Sequence, residues 1–207
     1  FKAREFEAAR VKALEAVALA EAHYDPSDPR LASHLITLGN AYGMLMRLDE
    51  AEAAFRHAVE QLRRSYRGDH PRLASALNNL GSVAARRPDP QGALRYYEEA
   101  LAMWLRTIGP GHPFVATAHY NIGVTESALG HHERAVAELL TARELYEAGG
   151  VAREITAAHA SLGDAYRAAG RGADARASYL RALATARAAS DDFGIKAAEK
   201  ALAALRP

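Results

Sequence analysis

The sequence repeats itself with a step of 42 residues. The prolines and glycines that mark this step are Pro29, Pro71 and Pro113 and Gly39, Gly81 and Gly123. After Gly150 the step shortens to 40 residues, and the series continues at Gly163. A register of this length indicates repeated supersecondary units, each of which buries its apolar face against its neighbours. We therefore expect a repeat protein rather than a chain folded around one globular core.

Each period contains two helical patterns. In the first, apolar or small residues recur at helical spacing from Pro29 to Tyr42, and Asp28 is a favourable N-cap before the proline. In the second, an apolar stripe runs from about Asp49 to Tyr66 and stops before a glycine. We call the first pattern helix A and the second helix B.

Small and large residues occupy fixed slots of each period. In the first repeat the slots hold Leu38, Gly39, Tyr42, Ala51, Phe55 and Ala58. Later repeats hold Leu80, Gly81, Ala93, Tyr97 and Ala100, then Ile122, Gly123, Ala135, Leu139 and Ala142, then Leu162, Gly163, Tyr166, Ala175, Tyr179 and Ala182. This pattern resembles the tetratricopeptide repeat (TPR) family, whose ordinary period is roughly 34 residues. The longer period and the Gly-Asp-His-Pro joint at 68–71 resemble the kinesin-light-chain-like variant.

The resemblance implies an all-α fold, an α-solenoid in which antiparallel helix pairs form a right-handed superhelix. It also implies that the repeated glycines face helix B and that Phe55, Tyr97 and Tyr179 are buried. Packing is expected to be looser at Ala84 and Glu126, because TPR proteins usually carry tyrosine in this slot.

The repeat register predicts a single TPR domain over residues 1–207. Its parts are helix B of a partial repeat (1–27), complete repeats at 28–69, 70–111, 112–150 and 151–190, and a C-terminal capping helix (191–207). We count nine helices in this arrangement. The capping role follows from the charged residues that interrupt the last apolar pattern, as the outer face of a terminal solenoid element requires.

Composition narrows the classes of function. The 207 residues include 26 Lys plus Arg and 25 Asp plus Glu, so a net charge of +1 supplies no bulk field to attract nucleic acid or an acidic membrane. The sequence has no cysteine, which removes disulfides and fits a reducing compartment. No signal peptide is visible, and no apolar run approaches the roughly 18 residues of a spanning helix. We expect a cytoplasmic protein that binds neither nucleic acid nor membrane.

No motif for catalysis, a cofactor or a metal stands out. His131 and His132 are adjacent, and adjacent helical residues point about 100° apart, so the two are poorly placed to share a metal ion. His70 and His112 each precede a proline at the same phase of the repeat. A role in starting the helix explains this phase better than catalysis does. We therefore expect a non-enzymatic chain without a cofactor.

Function is expected from the surface of helix A. The resemblance implies a concave groove built mainly from helix A positions that do not pack. The residues predicted to bind a peptide there are Asn40, Asn78, Asn79, Ser82, Arg86, Thr117, Tyr120, Asn121, Asp164 and Arg167. An asparagine amide both donates and accepts hydrogen bonds, so it can pair with the main chain of an extended peptide. We predict a module that binds a peptide or a segment of a partner protein.

Two alternatives remain open at the level of sequence. The half repeat at residues 1–24 exposes an edge on which another copy or another domain can stack, which would make the chain a structural or oligomerisation module. The array can also be the peptide-sensing regulatory domain of a larger signalling protein, in which a bound peptide changes the superhelix pitch.

Overall fold

The computed structural model describes residues 2–25 and 27–205, and this part of the chain contains α-helices and no strand. The helices are α1 (Lys2–His23), α2 (Pro29–Met44), α3 (Leu48–Ser65), α4 (Pro71–Ala85), α5 (Pro90–Thr107), α6 (Pro113–Ala128), α7 (His132–Gly149), α8 (Ala152–Ala168), α9 (Gly172–Ala188) and α10 (Asp192–Ala204). The four predicted pairs of helix A and helix B are α2–α3, α4–α5, α6–α7 and α8–α9, and the two members of each pair pack together. The all-α class, with the stacked helix pairs of an α-solenoid, is confirmed.

The described residues form ten helices, so the expected count of nine is wrong. Four pairs supply eight helices, and α1 and α10 flank them as single helices. Each half repeat contributes one whole helix, and the count of nine omitted one of the two.

The ten helices are grouped in two compact units. Unit 1 is Phe1–Ile108 and contains α1 to α5, and unit 2 is Gly109–Pro207 and contains α6 to α10. Within each unit, helices that follow one another in the chain pack side by side. Each unit therefore buries a core of its own between neighbouring helices.

Side chains before the prolines begin three of the A helices. The Asp28 carboxylate accepts a hydrogen bond from the Arg30 N–H at 2.8 Å. His70 and His112 act in the same way, since their Nδ1 atoms accept from the backbone N–H two residues later at 3.1 and 3.2 Å. Each bond satisfies one of the amide groups left without a partner at a helix N-terminus. The predicted helix-entry role of the two histidines is confirmed.

The repeated glycines lie against the large residue of helix B. A Cβ atom added at Gly39 would come within 2.6 Å of the Phe55 ring, and one at Gly81 would come equally close to the Tyr97 ring. Phe55 and Tyr97 are each 3% exposed and Tyr179 is 1% exposed. The helices of a pair approach closely only because the glycine leaves space for the aromatic ring. The predicted burial of these rings is confirmed.

The two departures from the TPR pattern behave differently. Ala84 lines a cavity of about 350 Å³ together with Leu80 and Arg87, which agrees with looser packing. Glu126 does not follow the expectation, because its side chain is fully buried. Its Oε2 lies 2.7 Å from His131 Nδ1, and its Oε1 lies 2.9 Å from Arg134 Nη1. The carboxylate occupies the tyrosine slot because Arg134 pairs with it and His131 contacts its second oxygen.

Candidate functional site

A cavity of about 180 Å³ lies between the A helices of unit 1. We call it the α2–α4 cavity, and its lining consists of Gly39, Asn40, Gly43, Met44, Phe55, Asn79, Ser82, Val83 and Arg86. Four of the predicted peptide-binding residues, from two different repeats, therefore lie on one cavity. The remaining lining is mostly apolar or has no side chain.

The two asparagines of this cavity hold polar groups at its wall. Asn40 directly follows Gly39, which faces helix B, so helical geometry turns the asparagine about 100° away from the packed side. Asn40 is exposed and Asn79 is half-buried. Within residues 2–25 and 27–205, neither side chain makes a hydrogen bond. Both amides are thus placed to bond a ligand.

Arg86 and Ser82 are already held by the protein. Arg86 Nη1 donates to the Gly43 carbonyl oxygen at 2.8 Å, which satisfies a carbonyl near the C-terminus of α2. Ser82 Oγ donates to the Asn78 carbonyl oxygen at 3.1 Å and accepts from the Tyr97 hydroxyl at 3.3 Å. These hydrogen bonds fix both side chains in the wall of the cavity.

The predicted residues of unit 2 are engaged in bonds within the unit. The Thr117 hydroxyl donates to the Pro113 carbonyl oxygen at 3.1 Å, and the Tyr120 hydroxyl lies 3.1 Å from Ser161 Oγ. Asp164 accepts from the Tyr179 hydroxyl at 2.7 Å. Burial and this bond raise the pKa of Tyr179 to about 12.

Three more of the predicted residues also have partners. Arg167 Nη2 lies 3.6 Å from Asp164 Oδ1. Asn78 and Asn121 are half-buried, and each interacts with another residue. Of the ten predicted residues, Asn40 and Asn79 are therefore the two whose side chains combine a position on a cavity with amide groups that no described residue bonds.

Family models match most of the chain. A tetratricopeptide repeat model matches residues 30–104 and 72–148, and a second tetratricopeptide repeat model matches residues 158–192. The chain belongs to the tetratricopeptide repeat family. The segments that the family models match are those that contain the repeated glycines and the helix pairs. No curated protein matches the sequence.

Solved structures share the TPR fold of this chain at low sequence identity. BtubC from P. vanneervenii is 20% identical with a TM-score of 0.73, and the match covers 98% of this chain and 94% of that protein. A Podosopora anserina protein with nearly identical TPR-like repeats of the kinesin light chain kind is 21% identical with a TM-score of 0.75, over 88% and 87% of the two chains. A Rap protein complexed with competence and sporulation factor is 20% identical with a TM-score of 0.78, over 94% of this chain and 53% of the Rap chain.

Three lining residues of the α2–α4 cavity were missed by the sequence analysis, namely Gly43, Met44 and Val83. Gly43 occupies no slot of the TPR pattern, but it stands four residues after Gly39 on the same side of α2. Outside the adjacent backbone of α2, a Cβ atom at Gly43 would have Arg86 Nη1, at 3.9 Å, as its one neighbour within 4 Å among the described residues. This second small residue was the available signal, because two small residues one helical turn apart open a depression in a helix surface.

The described part of the chain offers no group of three His, Asp or Glu side chains that could hold a metal ion. Over the same residues, no TPR helix combines the length and the apolar character that a membrane span requires.

Proposed function

We propose that this TPR chain is a non-enzymatic protein–protein interaction module that binds an extended segment of a partner protein at the α2–α4 cavity. One observation carries the proposal: Asn40 and Asn79 lie on the same cavity, and no described residue bonds their side-chain amides. Each amide offers one acceptor oxygen and two donor hydrogens, which match the C=O and N–H groups of a peptide main chain.

The lining of the cavity supports a peptide with an apolar side chain. Met44, Phe55 and Val83 supply apolar surface, and the glycines at 39 and 43 bring the α2 backbone to the cavity wall. Met44 is 54% exposed, so covering it with an apolar side chain removes that surface from water. Main-chain bonds to the asparagines would hold the segment, and the cavity would select an aliphatic residue within it.

The relatives support an interaction role over an enzymatic one. A Rap protein of the same fold is complexed with competence and sporulation factor, so this helical architecture can hold a binding partner. Another relative is aspartyl phosphate phosphatase F from Bacillus subtilis, but this chain matches 47% of that protein at 15% identity. Such a likeness supports the shared fold, and the α2–α4 cavity supplies asparagine, serine and arginine but no carboxylate or histidine for acid–base chemistry.

The test is binding to peptides selected by the wild-type chain from a displayed library. Replacing Asn40 and Asn79 together by Ala removes both amides, and we expect each lost bond to weaken binding by about 1 kcal/mol. Gly43→Leu leaves the amides in place but fills the cavity, and it should also weaken binding. Calorimetric titration of the selected peptide measures both effects.

The control for this test is Gln91→Ala, which removes an exposed amide from α5 outside the cavity. It should bind as the wild type does. Circular dichroism should show unchanged helicity in all three variants, because Ala and Leu are favourable in helices. Equal binding by the wild type and the asparagine double variant would refute the proposed site.

A second candidate is self-association through α1. This helix exposes Val11 (42%), Leu14 (37%) and Leu19 (62%), although it packs on α2 along its other side. Exposed apolar residues on one helix favour a contact with another copy or another domain. If the asparagine double variant binds as the wild type does and sedimentation shows a dimer, this candidate replaces the first.

A further inference from the structure

Unit 2 contains a polar cavity on the side of its B helices. It has a volume of about 430 Å³ and lies between α7, α8 and α9. We call it the α7–α9 cavity, and its polar lining includes Arg143, Glu147, His159, Tyr166, Ser178 and Arg181. It is separate from the residues of the α2–α4 cavity, and nothing in the TPR slots accounts for its charges.

The repeat provides an internal reference for this cavity. The repeat register pairs Gly123 of α6 with Gly39 of α2, which aligns α7 with α3. It also pairs Gly163 of α8 with Gly81 of α4, which aligns α8 and α9 with α4 and α5. The equivalents of Arg143, His159 and Ser178 are Val59, Leu77 and Tyr96. Val59 is 5% exposed and Leu77 is 1% exposed, so unit 1 has a packed apolar core at the positions of Arg143 and His159. Unit 2 therefore contains polar groups where the fold itself accepts apolar ones.

Three of these side chains, Arg143, Ser178 and Arg181, carry hydrogen-bond donors that have no acceptor among the described residues. Arg143 Nη2 donates to Glu144 Oε1 at 3.1 Å, but Arg143 Nε is shielded from water and makes no hydrogen bond with a described residue; Glu147 Oε2 lies 3.7 Å from it. Ser178 is 9% exposed, and its hydroxyl has no partner among residues 2–25 and 27–205. Arg181 makes no ion pair within the same part of the chain. The buried donors of Arg143 and Ser178 cost free energy while they lack acceptors, and a ligand that accepts hydrogen bonds would recover it. Arg181 is exposed and adds an unpaired positive charge at the cavity.

The acidic groups of the cavity have partners in the protein. Asp174 accepts from Arg171 Nε at 2.8 Å. Glu147 Oε1 lies 3.2 Å from His159 Nε2. Burial lowers the pKa of His159, which keeps the ring neutral and lets its N–H donate to the carboxylate. Both carboxylates thus have partners within the protein, whereas Arg181 has no carboxylate partner among the described residues.

In unit 1 the residue equivalent to Arg181 forms an ion pair that joins two helices. The equivalents of Glu147 and Arg181 are Arg63 and Glu99, which form an ion pair at 3.1 Å. In unit 2 the order of charges is reversed, and the carboxylate bonds the histidine instead of the arginine. The exchange removes the intramolecular partner of one arginine.

We propose that the α7–α9 cavity binds an oxyanion of the phosphate class, with Arg143, Ser178 and Arg181 as its donors. A phosphate presents several acceptor oxygens in a tetrahedral arrangement, which suits donors that converge from two helices better than a planar carboxylate does. Arginine is the side chain best matched to such oxygens, because its fork of N–H groups forms charge-assisted hydrogen bonds. The phosphate can be a free ion or a phosphorylated side chain of a partner protein.

Calorimetric titration of the whole chain at constant ionic strength tests this proposal. The probes are inorganic phosphate, N-acetyl-phosphoserine amide and, as a control ligand, N-acetyl-serine amide. We expect the wild type to bind at least one of the two phosphates and not the unphosphorylated serine. Tighter binding of phosphoserine identifies a phosphorylated side chain as the source, and tighter binding of inorganic phosphate identifies the free ion.

Two variants test the donors. Arg143→Val restores the residue of unit 1, and Arg181→Ala removes the unpaired guanidinium; each should weaken phosphate binding by roughly tenfold or more, since a charge-assisted bond is lost. The matched control is Arg176→Ala, an exposed arginine on α9 outside the cavity that makes no ion pair among the described residues. It should bind phosphate as the wild type does.

Folding is checked separately by circular dichroism and thermal melting. Arg143→Val should keep the helical fold, because Val59 shows that the equivalent position accepts valine. The proposal is overturned if the wild type binds neither phosphate at millimolar concentration, or if a folded Arg181→Ala variant binds as tightly as the wild type.

Discussion

At the residue scale, the same helical slot carries opposite chemistry in different repeats. Leu77 of α4 is an ordinary core residue, whereas its equivalent His159 in α8 is 7% exposed and faces charged groups. Those groups are Glu147, Arg143 and Arg181. Burial lowers the pKa of His159, and the two arginines act in the same direction, while the nearby carboxylate opposes them. The imidazole is therefore neutral in the folded chain under ordinary conditions.

The lowered pKa of His159 predicts a specific pH dependence of stability. The unfolded histidine titrates near its ordinary pKa of about 6.5, so the unfolded state binds more protons than the folded state below that value. Stability should fall as the pH drops through this region. His159→Leu removes the titrating group, so we expect a smaller loss of the free energy of unfolding between about pH 7.5 and pH 5.5.

Chemical denaturation at several pH values measures this slope. Gln91→Ala is the control, because it replaces an exposed side chain of α5 that carries no titrating group. The slope is the informative quantity, since leucine also changes packing at every pH. An identical slope in the His159→Leu variant and the wild type would show that the residue does not couple protonation to folding.

At the element scale, each helix pair is held by a small residue opposed to a large one. Gly39 of α2 receives the ring of Phe55 from α3, and Gly81 of α4 receives the ring of Tyr97 from α5. In unit 2, Gly123 faces Leu139, so an aliphatic residue fills the same place. The geometry of the pair thus depends on complementary volumes more than on one residue type.

Phe55→Ala should lower the free energy of unfolding by about 3 kcal/mol or more, because truncating a buried aromatic ring leaves a cavity. Helix pairs of a solenoid share interfaces with their neighbours, so hydrogen exchange should rise first in α2 to α4 and less in α8 and α9. Phe193→Ala is the control, since this phenylalanine is 84% exposed. A denaturation midpoint that Phe55→Ala leaves unchanged would contradict the assignment of Phe55 to the core.

At the scale of the whole molecule, one repeat pattern produces two compact units with different surfaces. Unit 1 contains the α2–α4 cavity, whose lining is mainly apolar with two asparagines. Unit 2 contains the α7–α9 cavity, whose lining is charged. The residue types at the packing positions of the repeat are similar in both units. The residue types at other positions differ between the units. The two proposed sites therefore use the same scaffold for different ligand chemistry.

The amino-acid sequence is enough to predict the repeat period, the pairing of helices A and B and the burial of Phe55, Tyr97 and Tyr179. These features depend on the spacing of residues along the chain and on side-chain volume, and both can be read directly from the sequence. The helix-starting histidines belong to the same class, because a cap acts on amides two residues away. Asn40 and Asn79 could also be predicted from the sequence, because both are polar residues on the unpacked side of helix A.

The sequence does not reveal which polar groups have partners, because that depends on the folded arrangement of the helices. Tyr120 and Asp164 share the surface pattern of the asparagines, yet they bond residues 41 and 15 positions away that only folding brings near. Glu126 resembled a packing defect until the fold placed His131 and Arg134 against its carboxylate. The α7–α9 cavity likewise requires three helices at once. Whether a polar group is satisfied depends on the distance to its partner in space, and a repeat pattern records only positions along the chain.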